Sequence, residues 1–293
     1  MILVDYSQIA IANIMQSARQ GVNEDMVRHM ILNTLRMYRN KFSDEYGELV
    51  LCCDNSNNWR KEIFEHYKAP RKVQREKSDF DWNNLFTILN NIRRELQETF
   101  PYKMVYIDHA EADDIIATLV LNREEKLNGV VSEQEPILIL SSDKDFVQLQ
   151  RFENVKQYSP LKKKFLNTDN PETFLREHIL KGDSSDGIPN FLSADDTFVS
   201  EKRQKPLSKK KLSVWAELDP EHFCEGEMLR NYQRNEMLID LTRVPANLQE
   251  QIMSSYHEQP TNGRSKLFNY FVKHKLKNLM ENISEFSEIS WLP

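Results

Sequence analysis

Short hydrophobic runs and longer amphipathic segments alternate along the first half of the chain. Four runs rich in aliphatic and β-branched residues are predicted as buried strands, at residues 2–4, 49–53, 104–107 and 137–140. Between them, apolar residues recur every three or four positions, which is typical of amphipathic helices. Strands that alternate with helices predict an α/β fold with a mainly parallel central sheet and helices on both of its faces.

Capping signals mark several of the predicted helix boundaries. Ser7 precedes a helical segment that ends near Gly21, and Asn23 precedes the next one, so both are predicted as N-caps. Further helices are predicted from about Trp82 and after Asp113. The latter is expected to stop near residue 128.

The pattern changes after Pro160, where the strand signals fade. A helix is predicted between Pro171 and Gly182, because proline suits the first helical position and glycine the position after the last. Residues 193–211 are polar and charged and predict a long, mobile loop. The rest of the chain, residues 213–293, has a mostly helical pattern.

A length of 293 residues allows one large core, or one core and a smaller lobe. We place a domain boundary near residue 170, where the strand signals have ended. The prediction is therefore an α/β domain of residues 1–170 and a smaller, mostly helical domain of residues 171–293.

The composition is that of a soluble protein in a reducing compartment. Hydrophobic residues make up 40% of the chain and charged residues 29%. The chain contains no run of about 18 apolar residues, the length needed to span a membrane. The apolar start is too short for a signal peptide and lacks a basic leader. Cys52, Cys53 and Cys224 have no metal-ligand spacing, so we predict buried thiols in the cytoplasm.

Carboxylates follow each of the four predicted strands. In an open parallel sheet, ligands bind beyond the carboxyl ends of the strands, so these side chains are expected to meet at one edge. They are Asp5, Asp54, Glu111, Asp113, Asp114, Asp143 and Asp145. A later loop, KGDSSDGIPN, adds Asp183 and Asp186. The sequence thus predicts one cluster of nine acids.

Such a cluster requires either bound protons or bound cations. Two carboxylates ~4 Å apart repel by ~4 kcal/mol at an effective dielectric of ~20. Ligands that are all oxygen favour Mg²⁺ or Mn²⁺ over zinc, and nine acids exceed the needs of one ion, so we predict two metal ions. Taken singly, Asp5 is as readily explained as a helix cap as it is as a metal ligand. The acids at 111–114 are likewise as readily explained by interaction with a helix dipole as by metal binding.

A basic segment follows the second strand, from residue 53 to residue 77. Its cations are Arg60, Lys61, Lys68, Arg71, Lys72, Arg75 and Lys77, interleaved with Trp59, Phe64 and Tyr67. Cations beside an acidic metal site suit an anionic phosphodiester substrate, whereas Lys61, Arg75 and Lys77 are interpreted as part of a solvated helix face. The net charge of −6 opposes this only weakly, because setting the nine cluster acids aside from 45 leaves 36 acidic against 39 basic residues.

Five sequence blocks resemble, in order, those of the flap endonuclease / 5′-nuclease family: VDYSQIA, CDNSNNWRKEIFEHYKAPR, AEADDIIATL, SSDKDFVQL and KGDSSDGIP. The resemblance implies a PIN-like α/β fold, Mg²⁺-dependent hydrolysis of RNA or DNA from a 5′ end, and cleavage of 5′ flaps. The segments MVRHMILN, KSDFDW and KLFNYFVKHKL are similar to the T-even-bacteriophage type of ribonuclease H within this family. That type implies a 5′→3′ exonuclease that removes RNA primers during phage DNA replication in the host cytoplasm.

The family motifs assign roles to individual residues. The acids that match the first metal site are Asp5, Asp54, Glu111 and Asp113. Those that match the second are Asp143, Asp145, Asp183 and Asp186, with Asp114 between the two sites. Lys68 matches the lysine of a basic arch, about residues 60–80, that lies near the scissile phosphate. The implied basic neighbours are Arg60, Arg71 and Lys72. Tyr67 either stacks a terminal base or, equally well, packs in the core.

One family feature is missing after the KGDSSDGIP block. The glycine-rich helix–hairpin–helix that grips duplex DNA in the family has no counterpart in GIPNFLSADDTFVSEKRQKPLSKKK. We hypothesise that the cations of this loop contact phosphates instead: Lys202, Arg203, Lys205, Lys209, Lys210 and Lys211.

The resemblance also suggests protein partners. The tail at residues 284–293 mixes acids with Phe286 and Trp291, and either docks on a sliding clamp or a single-strand-binding protein or packs as an ordinary terminus. We expect a monomer. Two other functions fit parts of the pattern: a Rossmann-like phosphohydrolase or phosphate-receiver domain with one Mg²⁺, and a non-catalytic module that binds replication forks.

Overall fold

A six-stranded sheet forms the centre of the protein in the computed structural model, which describes residues 1–17, 22–127, 135–259 and 264–286. The strand order is β3-β2-β1-β4-β5-β6, and all neighbours are parallel except β5 and β6. The strands are β1 Ile2–Asp5, β2 Leu49–Cys52, β3 Lys103–Val105, β4 Ile137–Leu140, β5 Val155–Ser159 and β6 Lys164–Leu166. The predicted α/β fold with a mainly parallel sheet is confirmed.

The last two strands were not predicted. β5 contains Lys156 and Gln157, which interrupt the apolar pattern, yet the Gln157 amide is buried and donates to the backbone oxygens of Ser141 and Asp143. β6 lies at the edge of the sheet, and its Phe165 is exposed. The expectation that strands end before Pro160 is wrong, because edge and polar strands carry little hydrophobic signal.

Helices cover one face of the sheet around the side chains of Ile2 and Val4. They are α1 Tyr6–Ser17, α2 Glu24–Tyr46, α5 Trp82–Thr99, α11 Arg264–Lys273 and α12 Lys277–Met280. Asn23 caps α2 as predicted. Ser7 does not cap α1: the helix begins at Tyr6, and the carboxylate of Asp5 accepts from the Gln8 amide instead.

The opposite face carries α6 Ala112–Leu127 and α10 Ala246–His257, packed around alternate residues of the same strands, such as Leu3 and Val50. Side chains of a strand point to opposite faces in turn, so the four-residue β1 serves both cores. Helices on both faces are therefore confirmed. The predicted end points near Gly21 and residue 128 lie outside the described residues.

A third apolar cluster joins α7 Pro171–Lys181, α8 Lys209–Ala216 and α9 Glu227–Ile239. Pro171 stands at the first position of α7 and Gly182 follows its end, as predicted. The C-terminal helices α10 and α11 instead pack into the two cores of the sheet. The C-terminal part is helical, and it shares its packing with the α/β part; a boundary near residue 170 stays a prediction.

Cys52, Cys53 and Cys224 are buried, which confirms the prediction of buried thiols. Among the residues that the structure describes, every helix is too short or too polar to cross a lipid bilayer.

Candidate metal centre

A cavity of about 1140 Å³ opens beyond the carboxyl ends of β1, β2 and β4. Acids from separate strands and loops line it: Asp5, Asp54, Glu111, Asp113, Asp143 and Asp186. They meet because parallel strands deliver the residue after each strand to the same edge. The structure therefore brings six of the nine candidate acids into one cavity.

Local hydrogen bonds aim these carboxylates at the cavity. The Asp54 carboxylate accepts a hydrogen bond of 2.8 Å from the backbone amide of Ala112, the first residue of α6. The Ser141 hydroxyl donates to Asp5 at 2.9 Å. The same hydroxyl accepts from the Asp143 amide at 3.1 Å, so Ser141 ties the end of β1 to the loop after β4.

The cavity holds more negative charge than its own cations balance. Burial and the neighbouring Asp54 raise the pKa of Asp5 to about 7. Burial and the charge of Asp143 raise the pKa of Asp113 well above its usual value. Among the described residues, the ion pairs at this site involve Glu111 and Asp186 but neither Asp5 nor Asp113. Oxygen ligands with uncompensated charge fit a hard divalent cation.

The metal-free protein is expected to lose stability as pH rises from about 5 to about 7. The pKa values of Asp5 and Asp145 are both raised to about 7, for both mainly by burial, so the folded state holds protons that the unfolded chain has released. Above about pH 7 both states are ionised and the loss levels off. Urea unfolding in chelator across this range measures the slope, and saturating Mg²⁺ should flatten it; equal slopes with and without metal would contradict the assignment.

Arg60 and Asp114 form a buried pair beneath the cavity. Arg60 is 2% exposed; its guanidinium lies 2.8 Å from an Asp114 oxygen and donates to the Leu238 carbonyl at 2.9 Å. The other Asp114 oxygen accepts from Trp59 Nε1 at 3.2 Å and from the Glu111 amide at 2.9 Å. Because both groups are buried and already paired, this arrangement does not favour a metal ligand at Asp114 or a nucleic-acid contact at Arg60, and these roles stay predictions.

The base of the basic segment lies directly against two cavity acids. The segment forms α3 Arg60–Ile63 and α4 Ala69–Glu76, and Lys68 and Arg71 pair with Glu111 and Asp186, respectively. Burial alone would raise the pKa of Glu111, but Lys68 and then Arg60 lower it to about 2. Glu111 and Asp186 are thus the cavity acids, among the described residues, whose charges are each held by two protein cations.

Tyr67 takes part in this contact rather than in stacking. Its ring is buried, and its hydroxyl lies 2.8 Å from Glu111 Oε2 and 3.2 Å from Asp186 Oδ2. Of the two predicted roles, this arrangement matches packing in the core rather than stacking on a base. Gly187 has φ of 73°, and a Cβ there would lie 2.9 Å from the His66 oxygen, so glycine permits the close approach of the two loops.

A second group of acids lies outside the cavity lining and includes a histidine that was not predicted. Asp145, Asp183 and His178 place one possible ligand atom each within 4.8 Å of the others. His178 stands in the last turn of α7. Its signal in the sequence was weak, because a histidine five residues before an aspartate has no motif that separates it from an ordinary core residue.

Buried polar residues of α9 position the loop that carries Asp183 and Asp186, and none was predicted. Asn235 donates to the backbone oxygens of Ile179 and Pro189 at 2.8 and 2.9 Å. Arg234 also donates to the Pro189 oxygen, at 3.0 Å. Arg and Asn are usually solvent-exposed on a helix, so only the fold reveals the role of these two consecutive residues.

The remaining basic residues lie on the surface. Lys72, on α4, is exposed and lines the cavity. Lys209, Lys210 and Lys211 are not in a loop, since they form the first turn of α8. Lys202 pairs with Asp196.

The loop at residues 193–208 is more ordered than predicted. Asn190 donates to the Lys205 backbone oxygen at 2.9 Å, and the Lys205 amide donates to Ser193. Arg203 and Lys205 stay solvent-exposed.

Known proteins resemble the chain over nearly its whole length. A family model described as the 5′-3′ exonuclease N-terminal resolvase-like domain matches residues 2–178, and one described as the C-terminal domain of T4 RNase H matches residues 169–286. The ribonuclease H of Enterobacteria phage T4 is 34% identical over 297 residues, which cover 97% of this chain and 95% of that protein. A 5′-3′ exonuclease of Buchnera aphidicola is 30% identical over 178 residues, 57% of this chain and 56% of that one.

Solved structures support the fold. The T5 5′-exonuclease with bound zinc ions superposes with a TM-score of 0.61 at 15% identity, covering 88% of this chain and 98% of that one. A complex of the T5 flap endonuclease with DNA and metal ions has a TM-score of 0.59 and covers 88% and 97% of the two chains. The family models and the sequence matches show that the chain belongs to the 5′-3′ exonuclease / flap endonuclease family and to its ribonuclease H branch.

Proposed function

We propose that this protein is a Mg²⁺-dependent 5′-nuclease that hydrolyses phosphodiesters at 5′ ends and flaps of RNA–DNA and DNA duplexes. Its role would be the removal of RNA primers during phage DNA replication in the host cytoplasm. The observation that supports this best is the cavity in which carboxylates from three strand ends meet a basic helix. Such a site attracts divalent cations and a polyanion together.

The donor set suggests two metal positions. The residues proposed around the first are Asp5, Asp54, Glu111 and Asp113, and those around the second are Asp143, Asp145, Asp183 and Asp186. When bound, two such ions supply a hydroxide nucleophile and stabilise the leaving oxygen. The protein itself holds the carboxylates through Ser141 and the N-terminus of α6, so the acids are in place before substrate arrives.

Lys68 is proposed to carry positive charge to the scissile phosphate. Its ammonium now binds Glu111, and its backbone has φ of 57°, with its amide donating to the Asp186 oxygen at 2.7 Å. This contact orders the residue at the edge of the cavity. A substrate phosphate there would compete for the same ammonium, which would then stabilise charge that develops on the phosphate oxygens.

Lys68→Ala is expected to lower the cleavage rate by about 10²-fold, the usual cost of one electrostatic group at a reacting phosphate or carbonyl. Single-turnover cleavage of a 5′-labelled flap substrate measures the rate. Lys77→Ala, at the exposed end of the same helix, is the matched control and should leave the rate within twofold. A rate for Lys68→Ala as high as that of the control would remove the role from Lys68.

Nucleic acid beyond the cleaved phosphate is proposed to follow two basic surfaces. Lys72 and Arg71 border the cavity, and the cations at 202–211 lie on the segment that replaces the missing glycine-rich hairpin. Phosphate contacts of this kind position a duplex without sequence specificity.

A single set of digestions tests the proposal. End-labelled flap, nicked and RNA–DNA substrates are incubated with the protein in Mg²⁺, in Mn²⁺ and in chelator, and a generic phosphate ester serves as the comparison. Release of short 5′ products that requires metal is expected. Hydrolysis of the ester without cleavage of any oligonucleotide would favour the phosphohydrolase alternative. Binding of the oligonucleotides without cleavage would favour the non-catalytic module.

The suggested partners, a sliding clamp and a single-strand-binding protein, stay proposals. Phe286 is buried between Phe100 and Phe271, so this residue of the tail belongs to the core rather than to a docking motif. The rest of the proposed motif, residues 287–293, lies outside the described residues.

A further inference from the structure

The imidazole of His178 lies between two carboxylates at the C-terminal end of α7. Its Nε2 atom is 3.1 Å from Asp183 Oδ2, and its Nδ1 atom is 3.6 Å from Asp145 Oδ1. The side chain is 6% exposed, so solvent does not reach it freely. Each ring nitrogen therefore has a defined neighbour.

The contacts of Asp183 decide which nitrogen carries the proton. One Asp183 oxygen accepts from the Ser185 amide at 2.8 Å and from the Ser185 hydroxyl at 2.6 Å. The other binds the Lys144 ammonium at 2.8 Å. A carboxylate with this many donors acts as an ionised acceptor, so His178 Nε2–H donates to it and Nδ1 is left with a lone pair.

The lone pair of Nδ1 faces another acceptor. Within the described part of the chain, neither Nδ1 nor Asp145 Oδ1 has a hydrogen-bond partner, and both atoms are buried. The ammonium of Lys144, the residue before Asp145, is engaged by Asp183. Two acceptors that face each other away from water are costly unless a proton, as on a protonated Asp145 in the metal-free protein, or a metal ion lies between them.

We infer that His178 Nδ1 is a metal ligand, shared with Asp145, and that Asp183 orients the imidazole. A carboxylate that accepts the second N–H is the usual support of a metal-bound histidine. Ligand atoms 3.6 Å apart, each ~2.1 Å from one ion, subtend an angle of about 120° at that ion. This is nearer to tetrahedral than to the ~90° between neighbouring ligands of Mg²⁺.

The chemistry of the site follows from the nitrogen ligand. Imidazole binds transition-metal ions more readily than it binds Mg²⁺, so this position should favour Mn²⁺ or Zn²⁺, whereas the all-oxygen cavity has no such preference. The inference rests on the proposed function only in taking Asp145 as a metal ligand, and it assigns Asp183 to the imidazole rather than to the ion. No nucleic acid is needed for its test.

Electron paramagnetic resonance of the full chain loaded with Mn²⁺ tests the assignment directly. A coordinated imidazole gives a ¹⁴N hyperfine coupling, which we expect in the wild-type protein and expect to vanish in His178→Gln. Titration should show a loss of Mn²⁺ affinity of about 10-fold or more at one site. His66→Gln is the matched control: this histidine lies within the basic segment, and the one carboxylate within 4 Å of it in the described chain is that of Glu65.

The outcomes separate this inference from the proposed function. Absence of ¹⁴N coupling in the wild-type protein overturns it, whatever the variants do, and so does a coupling that persists in His178→Gln. Loss of the coupling in His178→Gln but not in His66→Gln supports it. Nuclease activity in Mg²⁺ is measured separately. A protein that shows the ¹⁴N coupling but has no nuclease activity would reject the proposed function and leave the inference standing. A protein that is active but shows no coupling would reject the inference and leave the proposed function standing.

Discussion

Asp113→Asn is expected to lower the rate of phosphodiester cleavage by about 10³-fold and, at the same time, to raise the melting temperature of the metal-free protein. The loss of rate follows because Asp113 is proposed to hold metal beside three other acids, and a group that places charge at the reacting centre contributes a factor of this size. Asparagine has nearly the same shape, so the fold is kept.

The gain in stability has a separate cause. The pKa of Asp113 is raised by burial and then by Asp143, so at neutral pH its ionisation opposes folding. The uncharged amide removes this cost when no metal is bound. Added Mg²⁺ should therefore stabilise the wild-type protein more than the variant, because the ion relieves repulsion that the variant no longer has.

Asp108→Asn is the matched control for this experiment. Asp108 lies in the same connection between β3 and α6, but its side chain is exposed and pairs with Asn57. Calorimetry in chelator and in Mg²⁺, together with single-turnover cleavage, should separate the two variants. A metal-free Asp113→Asn protein that melts no higher than wild type would disprove the electrostatic account of the cavity.

Arg60→Met is expected to reduce the free energy of unfolding by about 3–5 kcal/mol, the usual cost of removing one partner of a buried ion pair. The variant leaves Asp114 ionised, fully buried and without its guanidinium, and it removes the hydrogen bond to the Leu238 carbonyl. Equilibrium urea unfolding measures the change.

Two companion variants make the cause specific. Lys61→Met alters the next residue of the same helix, which is exposed, and should change stability by less than about 0.5 kcal/mol. The double variant Arg60→Met with Asp114→Asn should recover part of the loss, because the orphaned charge is gone. A double variant as unstable as the sum of the two single variants would show that the charges do not interact.

The differences between the predicted and observed sites have a common origin. Lys68 and Arg60 looked alike in the sequence, as two cations of one basic segment, yet one lies at the cavity edge and the other is buried. Asp114 likewise differs from Asp113 by one helical position. That step turns its side chain away from the cavity and toward Trp59, and a spacing of one residue in a sequence does not say which side chain faces inward.

The sequence by itself determined the parallel sheet, the acids at its strand ends and the family of the protein. Each of these depends on local order along the chain: an apolar run followed by an aspartate places that aspartate at the carboxyl edge wherever the strand lies in the sheet. Tertiary structure alone decided which charges are exposed. Arg60 is buried and donates to the backbone carbonyl of Leu238, which is far away in the chain. His178 lies near Asp145 only because α7 packs against the turn after β4. Burial and pairing depend on residues far apart in the chain, and charge in a protein acts according to its surroundings rather than its position in the sequence.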